Sequence, residues 1–594
     1  MNFSGEFRIL ANNDNQVGRA TGAFSFGANL TQGPNALSSS STAGDGFASF
    51  LLGLGSGTVT HYFKIVDTTS HYTGFYVQDD WSLTDKLTLN LGLRYDLFFP
   101  RTERHNRATY LDLNVPSPLA GVTGIAGLKG GLEYPGVNGN PRTVNDTVYD
   151  NFAPRFGFAY HPSRPLVVRG AFGIFFTNNP NQAASTLANT GFRTDSSYLG
   201  TIDGATPNNY LSDPFPNSSF VPVTGSSLGL LTSTGGGIST TIRHQPSPYT
   251  ENFNLGVEYQ LPANWMLGIS YVGNHGVQLP SYPVYNQLPD SDLVLGGQLL
   301  NQVSNPFYGH VQVSGPISGK TIQQRYLLSP YPQFTSVSGY LVSGAISHYD
   351  SMQVRVEKRF SNNATLLLSY TGSKSMDDTS FGNNSNFGTN GTYQDASIPL
   401  FQDSYSLSTF VISRNLVVSG VYSLPFGRGQ RFGAQWNSFV DALLGGYQIN
   451  GIFSAHTGTP LAFSASNVAN ILNPGERPNW NGEDPRKGGR IEDKLNAYFD
   501  TTDFSQPATY TFGNMSRTHG YLRGPGLRNF DLSIFKQFPL WDTLKAELRG
   551  EAFNAFNTPQ FSNPDTGVTD GTFGVISSQI NSPRQIQVAI KLLF

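Results

Sequence analysis

One short pattern in the sequence is typical of a nucleophilic serine. Gly225-Ser226-Ser227-Leu228-Gly229 fits G-x-S-x-G, in which a sharp turn between a buried strand and a helix presents a serine hydroxyl to a base. Here the pattern stands in a stretch of Pro, Ser, Thr and Gly. We therefore interpret it as a chance match in a chain rich in glycine and serine, and we predict no catalytic residue and no enzymatic activity.

Two pairs of neighbouring carboxylates could act as general acid and base, or could bind calcium. Asp79 and Asp80 are predicted to lie on a strand, where neighbours point to opposite faces and cannot act on one substrate. Asp377 and Asp378 are predicted to lie in an external loop, where we expect both carboxylates to be solvated at the surface or to contact a divalent ion only incidentally. The ten histidines have no metal-ligand spacing and cysteine is absent, so we predict no metal site and no cofactor.

The elements that position polar side chains are strands, because apolar residues recur at every second position. Between Leu87 and Asp96 apolar residues alternate without a break with Thr, Asn, Gly, Arg and Asp, and the same pattern runs through 253–259, 265–271 and 352–359. In 544–552 one face carries four charges in succession, so that face must be in contact with water. Since alternate residues face opposite sides of a sheet, each strand has one apolar and one polar face.

The amino-acid composition argues against several classes of protein. Charged residues make up 13% of the 594 residues, about half the roughly 25% usual for a soluble domain. A net charge of -3 argues against a nucleic-acid partner, which requires a basic face. The missing cysteine excludes a disulfide-stapled module. No apolar run approaches the roughly 18 residues of a transmembrane helix, and the N-terminal residues lack the pattern of a secretory signal.

Short and long connections alternate between the predicted strands. Turn-forming residues mark short connections at 82–85, 161–165, 261–264, 361–363 and 539–543, and long polar stretches occupy 100–150, 177–241, 273–345, 372–408, 457–525 and 557–583. Outer-membrane barrels have short periplasmic turns and longer extracellular loops. One connection, 427–446, belongs on the short-turn side yet is long, and 439–444 is predicted to form a small helix there.

The last predicted strand ends on an aromatic residue. Its apolar face consists of Ile586, Val588, Ile590, Leu592 and Phe594. Such a strand resembles the C-terminal segment by which the barrel-assembly machinery recognises bacterial outer-membrane barrels. We therefore expect that machinery and outer-membrane lipid to be partners.

Several short stretches, in a fixed order over nearly the whole chain, carry a family resemblance. They are 46–53 (GFASFLLG), 74–81 (GFYVQDDW) with 87–96, 151–160 (NFAPRFGFAY), 424–429 (LPFGRG), 444–448 (LGGYQ) and 551–557 (EAFNAFN). Together they resemble the C-terminal barrel of a TonB-dependent receptor of the Oar-like, acidobacterial type. The resemblance implies an all-β fold, a transmembrane antiparallel up-and-down β-barrel in the outer membrane of a Gram-negative cell.

Full-length members of that family carry a signal sequence, a small β-sandwich, a TonB box, a plug and the first barrel strands ahead of this region. None is visible in the sequence, so we expect 1–594 to be the C-terminal portion of the barrel domain. We count about 16 strands of a probable 22, with 3–10 and 21–27 the weakest. Without further strands, the barrel is expected to be incompletely closed or closed with a strained seam.

The resemblance implies TonB-dependent uptake of a solute such as a siderophore, a saccharide or a peptide. TonB and the plug would act only through the missing N-terminal region. A passive pore or surface adhesin is the alternative function, and a secreted β-rich enzyme or lectin is a third. Charged residues on the polar faces are candidates for the lumen lining, either contacting a plug or solute or simply hydrating the inner wall. They are Arg94, Asp96, Arg355, Glu357, Arg359, Glu547, Arg549 and Glu551.

Overall fold

A computed structural model of the chain has one large antiparallel sheet as its main element. The structure describes residues 1–14, 19, 21–32, 43–62, 66–177, 189–201, 206–216, 222–313, 315–361, 363–382, 388–390, 394–466, 472, 475–541 and 544–594. Among these residues, no helix is long and apolar enough to cross a membrane.

Fourteen long strands follow one another in the sheet in the order of the chain. They are β1 (Asn2–Asp14), β2 (Val66–Thr84), β3 (Leu87–Phe98), β4 (Phe152–Ser163), β5 (Leu166–Phe176), β6 (Tyr249–Leu261), β7 (Trp265–Ser281), β8 (Val342–Ser361), β9 (Ala364–Asp377), β10 (Arg414–Ser423), β11 (Tyr447–His456), β12 (Leu527–Trp541), β13 (Leu544–Phe553) and β14 (Gln585–Leu593). Thr102–Glu103 and Ser406–Leu407 pair with β2 and β9 and bring the sheet to 16 strands. The predicted up-and-down architecture is confirmed.

The connections alternate in length as predicted. Hairpin connections of two or three residues follow β2, β4, β6, β8 and β12, and they lie at one end of the sheet. Long connections lie at the other end. The exceptional connection between β10 and β11 contains the helix Ser438–Leu444, which confirms the small helix predicted there. Its N-terminus is capped by Asn437, whose side chain accepts a hydrogen bond from the Val440 amide.

The sheet has two edges. β1 and β14 stand at the two ends of the strand order, and within the described residues no pairing joins them. The predicted segment 3–10 lies inside β1. The predicted strand 21–27 does not join the large sheet, because Ala23–Ser25 pairs instead with Ser56–Tyr62 in a separate small sheet.

The long connections are themselves folded. Their remaining short strands are Tyr110–Pro116, Lys129–Glu133, Arg193–Leu199, Gly237–Thr240, Gln302–Ser304, Thr321–Gln323, Ser336–Gly339, Ser380–Gly382, Gly388–Asn390, Asn479–Trp480 and Phe504–Ser505. Their α-helices are Gly46–Leu51, Ala120–Thr123, Asn189–Phe192, Gln324–Leu328 and Leu400–Ser404, and their 3-10 helices are Ala28–Thr31, Gly229–Leu231, Asp290–Leu300, Ile491–Lys494 and Thr501–Asp503.

Apolar burial is concentrated in these connections. The largest fully buried side chains all belong to long connections; they are Tyr198, Phe307, Phe334, Phe499, Leu132, Leu288, Leu299, Ile317, Ile322, Leu341 and Leu461. One cluster packs Phe463, Phe499 and Phe504 together within 457–526. Each such side chain contributes roughly 1.5–3 kcal/mol by leaving water. The connections therefore have cores of their own.

Candidate functional site

The apolar face of the sheet is exposed. On β14, Ile586 and Val588 are each 72% exposed and Ile590 is 73% exposed. Leu89 on β3 and Val354 on β8 are partly exposed. In a water-soluble protein, a continuous apolar face of this size is buried against another layer. Here hydrocarbon is the medium that such a face requires.

The polar face carries a hydrogen-bonded charge cluster on β1, β2 and β3. Arg94 donates through Nε to Asp96 at 2.8 Å, and its Nη2 lies 3.1 Å from the Glu6 carboxylate. The Tyr72 hydroxyl contacts both Arg94 and Asp96. This arrangement depends on Gly74, because a Cβ at that position would collide with the Tyr72 hydroxyl. The charged groups of this cluster are paired with one another, and the cluster can contact a further polar surface that lies against the sheet.

The other predicted lumen residues form separate pairs. Arg355 donates to Glu357 at 2.8 Å on β8. On β13, Arg549 Nε lies 2.6 Å from Glu547, which also accepts from Gln537 at 2.8 Å. Glu551 is partly exposed on the same strand, and Arg359 lies in β8 but its side chain is outside the described residues. β3, β8 and β13 are not neighbours in the sheet, and among the side chains that the structure describes no ion pair joins the three groups.

The serine pattern does not form a nucleophile elbow. Residues 225–229 lie in turns that lead into the short helix Gly229–Leu231, with no strand immediately before them. The Ser227 hydroxyl donates to the Thr224 carbonyl at 2.7 Å. A nucleophilic serine must instead be hydrogen-bonded to a base. Asp79 and Asp80 lie side by side on β2, and Asp80 accepts a hydrogen bond of 2.6 Å from Asn90.

The expectation that Asp377 and Asp378 are solvated is wrong. Their exposed fractions are 3% and 1%, because the connection 457–526 folds over the end of β9. Asp377 forms an ion pair with Arg517, which is equally buried. Asp378 accepts a hydrogen bond of 2.9 Å from the Ile346 amide. Burial raises the pKa of Asp378 to about 6, because a carboxylate is disfavoured away from water.

A second buried ion pair lies beside the first. Arg477 donates to the Asp403 carboxylate at 2.8 Å and to its carbonyl oxygen at 2.8 Å. Arg517 Nε donates to the Ser404 carbonyl oxygen at 3.0 Å. Gln394 donates to the Gly513 carbonyl at 2.8 Å and accepts from the Arg477 amide. These bonds fasten the connections 378–413 and 457–526 to each other. They were missed from the sequence because the partners are more than 70 residues apart.

Across the described ranges, no group of three or more His, Cys, Asp or Glu side chains lies close enough together to hold a metal ion. Asp290 has a pKa raised to about 6 by burial and by its contact with Asp395. That pair accepts further hydrogen bonds from Ser397 and Gln287, which hold it within the loop structure.

The sheet, its exposed apolar face and the folded connections at one end define an outer-membrane β-barrel protein. A family model described as "Outer membrane beta barrel domain" matches residues 1–587. The chain therefore belongs to the outer membrane beta barrel domain family, and the predicted location in the Gram-negative outer membrane is confirmed.

The chain is also similar to the TonB-dependent transporter Oar of Myxococcus xanthus, with 28% identity over 222 residues. That match covers 36% of this chain and 18% of Oar, and it agrees with the resemblance to TonB-dependent receptors predicted from the sequence.

Among solved structures, the pyoverdine receptor FpvA of Pseudomonas aeruginosa matches with a TM-score of 0.37 and 10% identity, over 89% of this chain and 43% of FpvA. The siderophore receptor PiuA of Acinetobacter baumannii matches with a TM-score of 0.36 and 8% identity, over 89% of this chain and 44% of PiuA. The chain thus spans less than half of either receptor. Scores this low carry no functional information.

Proposed function

We propose that residues 1–594 are the C-terminal barrel portion of a TonB-dependent receptor that takes up a solute across the outer membrane. The observation that carries the proposal is the two-faced sheet whose long connections, with the one exception between β10 and β11, lie at one end and have buried cores. The family match and the similarity to Oar support it. In this proposal the apolar face contacts lipid and the polar face lines the path of the solute.

In this proposal the charged pairs of the polar face contact water or a plug. Arg94, Arg355 and Glu547 form hydrogen-bonded pairs that stay satisfied when the lumen is filled with water. They can exchange these bonds for contacts with a plug supplied by a region outside 1–594. TonB acts on that region, and the solute is a siderophore, a saccharide, a peptide or a similar molecule.

The proposal includes no catalytic step. The Ser227 hydroxyl donates to a backbone carbonyl and, among the described residues, is hydrogen-bonded to no base, and the buried carboxylates Asp377 and Asp403 are paired with arginines that hold loops together. The connections act as a binding surface, because ion pairs and aromatic packing fix their shape before a ligand arrives.

The C-terminal strand is proposed as the barrel-assembly segment. Its candidate residues are Ile586, Val588, Ile590, Leu592 and Phe594. The first four lie on the exposed apolar face of β14, opposite Ala552, Gly550, Leu548 and Ala546 of β13. Phe594 follows the strand and is also exposed. An exposed edge strand with one apolar face is suited to pairing with an assembly partner.

A genetic test separates an energised receptor from a passive pore. In the native host, uptake of ferric siderophores, cobalamin, maltodextrins and oligopeptides is compared after deleting this gene, tonB, or both. We expect the two single deletions and the double deletion to impair uptake of one common solute equally. Uptake that requires this gene but is unchanged by loss of tonB would contradict the proposal and favour a pore.

A further inference from the structure

The long-loop end contains a basic cavity that the polar face of the sheet does not share. The cavity has a volume of about 700 Å³ and lies between the ends of β11 and β12 and the connections 457–526 and 554–584. Its lining includes a single carboxylate, Glu492. Six cationic side chains surround it: Arg486, Lys487, Arg490, Lys494, Arg523 and Arg528. In a chain of net charge -3, this is a strong local excess of positive charge.

Four of the six cations form no close ion pair with a carboxylate among the described residues, and Lys487 acts on the Asp500 carboxylate only at longer range. Arg486 pairs with Asp484 at 2.7 Å, and Arg490 lies 3.4 Å from Glu492. In the part of the chain that the structure describes, no ion pair joins any of the other four cations to a carboxylate. Those four are Lys487, Lys494, Arg523 and Arg528. Clustered cations repel one another, so a cavity of this composition is stabilised by an anion.

The cationic groups are held in place by their surroundings. Arg523 donates to the carbonyl oxygens of Val411 at 2.9 Å and Gly458 at 3.2 Å. Lys494 donates to the Lys487 carbonyl at 2.8 Å and lies 5.1 Å from the centre of the Tyr498 ring. Because these contacts fix the side chains before binding, a ligand loses less ordering entropy when it enters.

Two glycines allow the backbone segments at the base of the cavity to lie in contact. A Cβ at Gly458 would collide with the Gly524 carbonyl, and one at Gly526 would collide with the His456 carbonyl. Glycine at these positions lets 457–458 approach 524–526 closely. The side chains of Arg523 and Arg528 line the cavity above these segments.

The position of Arg528 indicates where the cavity lies relative to the membrane. Arg528 shares the apolar face of β12 with Phe530, Leu532 and Ile534, and it lies at the end of β12 that the long connection 457–526 joins. Arg528 thus lies at the outward-facing end of the apolar face, where the hydrocarbon band meets the lipid headgroups.

We propose that this cavity binds a phosphate-bearing anion at the outer surface of the membrane. Arginine and lysine are the side chains that recognise phosphate, and several together suit a ligand with more than one phosphate group. Two sources share this chemistry: the phosphorylated headgroup of an outer-leaflet glycolipid and a soluble phosphorylated solute. Only the second source rests on the proposed transport function.

The test measures binding to the full chain folded in detergent micelles by native mass spectrometry. The probes are diphosphorylated lipid A, the same lipid without phosphates, and inorganic pyrophosphate. The test variant is Lys487→Gln with Arg490→Gln, both exposed. The control is Arg164→Gln with Arg431→Gln, two exposed cations at the short-turn end. Since neither pair is buried, both variants are expected to fold.

We expect phosphorylated probes to bind wild type and control equally, and the test variant to bind them at least about tenfold more weakly. Binding of lipid A but not pyrophosphate identifies the headgroup as the source, and binding of pyrophosphate identifies a soluble ligand. Equal binding of the phosphate-free lipid, equal binding by the test variant, or no binding of either phosphorylated probe overturns the proposal. These outcomes do not depend on tonB and are separate from the uptake test.

Discussion

Arg517 and Asp377 form a buried ion pair between the long connection 457–526 and the last residue of β9. Arg517 also donates to the Asp377 carbonyl oxygen at 2.7 Å, so one guanidinium binds both the side chain and the backbone of the aspartate. Thr518, the next residue, donates to the Leu407 carbonyl at 2.7 Å. The ion pair and the Thr518 hydrogen bond together join the connection 457–526 to the end of β9 and to the connection 378–413.

Replacing Arg517 alone should destabilise the long-loop end strongly. Arg517→Met leaves Asp377 buried without its partner, which should lower the free energy of unfolding by about 3–5 kcal/mol. The double variant Arg517→Met with Asp377→Leu should recover most of this loss, because neither member of the pair is left as a buried charge without the other. Urea unfolding in detergent, followed by tryptophan fluorescence, measures both. Equal losses in the single and double variants would contradict a buried pair.

The buried carboxyl of Asp378 should make stability depend on pH. Its pKa of about 6 is above the ordinary value of 3.8, so between these values the folded chain binds more protons than the unfolded chain. Stability should then fall as pH rises from about 4 to 6, and remain reduced above 6.

Asp378→Asn removes this loss. The variant should be more stable than wild type by about 1–3 kcal/mol at pH 8 and equal to it near pH 4. Urea unfolding at both pH values provides the measurement. Asp484→Asn is the control, because Asp484 is exposed and paired with Arg486. A variant that is less stable than wild type at pH 8 would rule out this account of Asp378.

Gly74 should be intolerant of any side chain, in contrast to Gly92 on the neighbouring strand. A Cβ at Gly74 meets the Tyr72 hydroxyl and the Arg94 guanidinium, whereas a Cβ at Gly92 has its nearest neighbour at 3.6 Å. Gly74→Ala should cost about 1–3 kcal/mol, and Gly92→Ala should change stability by less than about 0.5 kcal/mol. Thermal unfolding of both variants in detergent decides between these expectations.

Phe594 should matter for assembly rather than for stability. It is exposed and follows β14, so its loss removes little packing from the folded protein. Phe594→Ala should reduce the amount of heat-modifiable protein in outer membranes, while urea unfolding of the purified variant stays close to wild type. Leu593→Ala, at the neighbouring position on the other face of β14, is the control. Normal membrane levels of Phe594→Ala would argue against an assembly role.

Alternation of residue type was sufficient to predict the sheet, because period-two patterns depend only on neighbours in the sequence. The predicted segments 87–96 and 544–552 both lie in strands. Tertiary burial was not predictable in this way. Asp377 was expected in water because nothing near it in sequence indicates Arg517, 140 residues away. The weak strand 21–27 was misplaced because its partner, Ser56–Tyr62, belongs to a loop.

The basic cavity had a signal in the sequence. Residues 486–494 contain Arg, Lys, Arg, Glu, Asp and Lys within nine positions, in a chain where only 13% of residues are charged. That run indicates a solvated charged segment. Its convergence with Arg523 and Arg528 required the fold of 457–526 over the end of β12.

The central claim is that lipid, rather than protein or water, covers the apolar face of the sheet. The chain has no cysteine, so single cysteines can carry a nitroxide at Leu91 and Ile590 on the apolar face and at Asn90 and Gln353 on the polar face. In vesicles, we predict that oxygen, which concentrates in hydrocarbon, relaxes the first two labels most, and that a water-soluble nickel chelate relaxes the last two. Nickel access at Leu91 and Ile590, or shielding of both from oxygen, would contradict the claim.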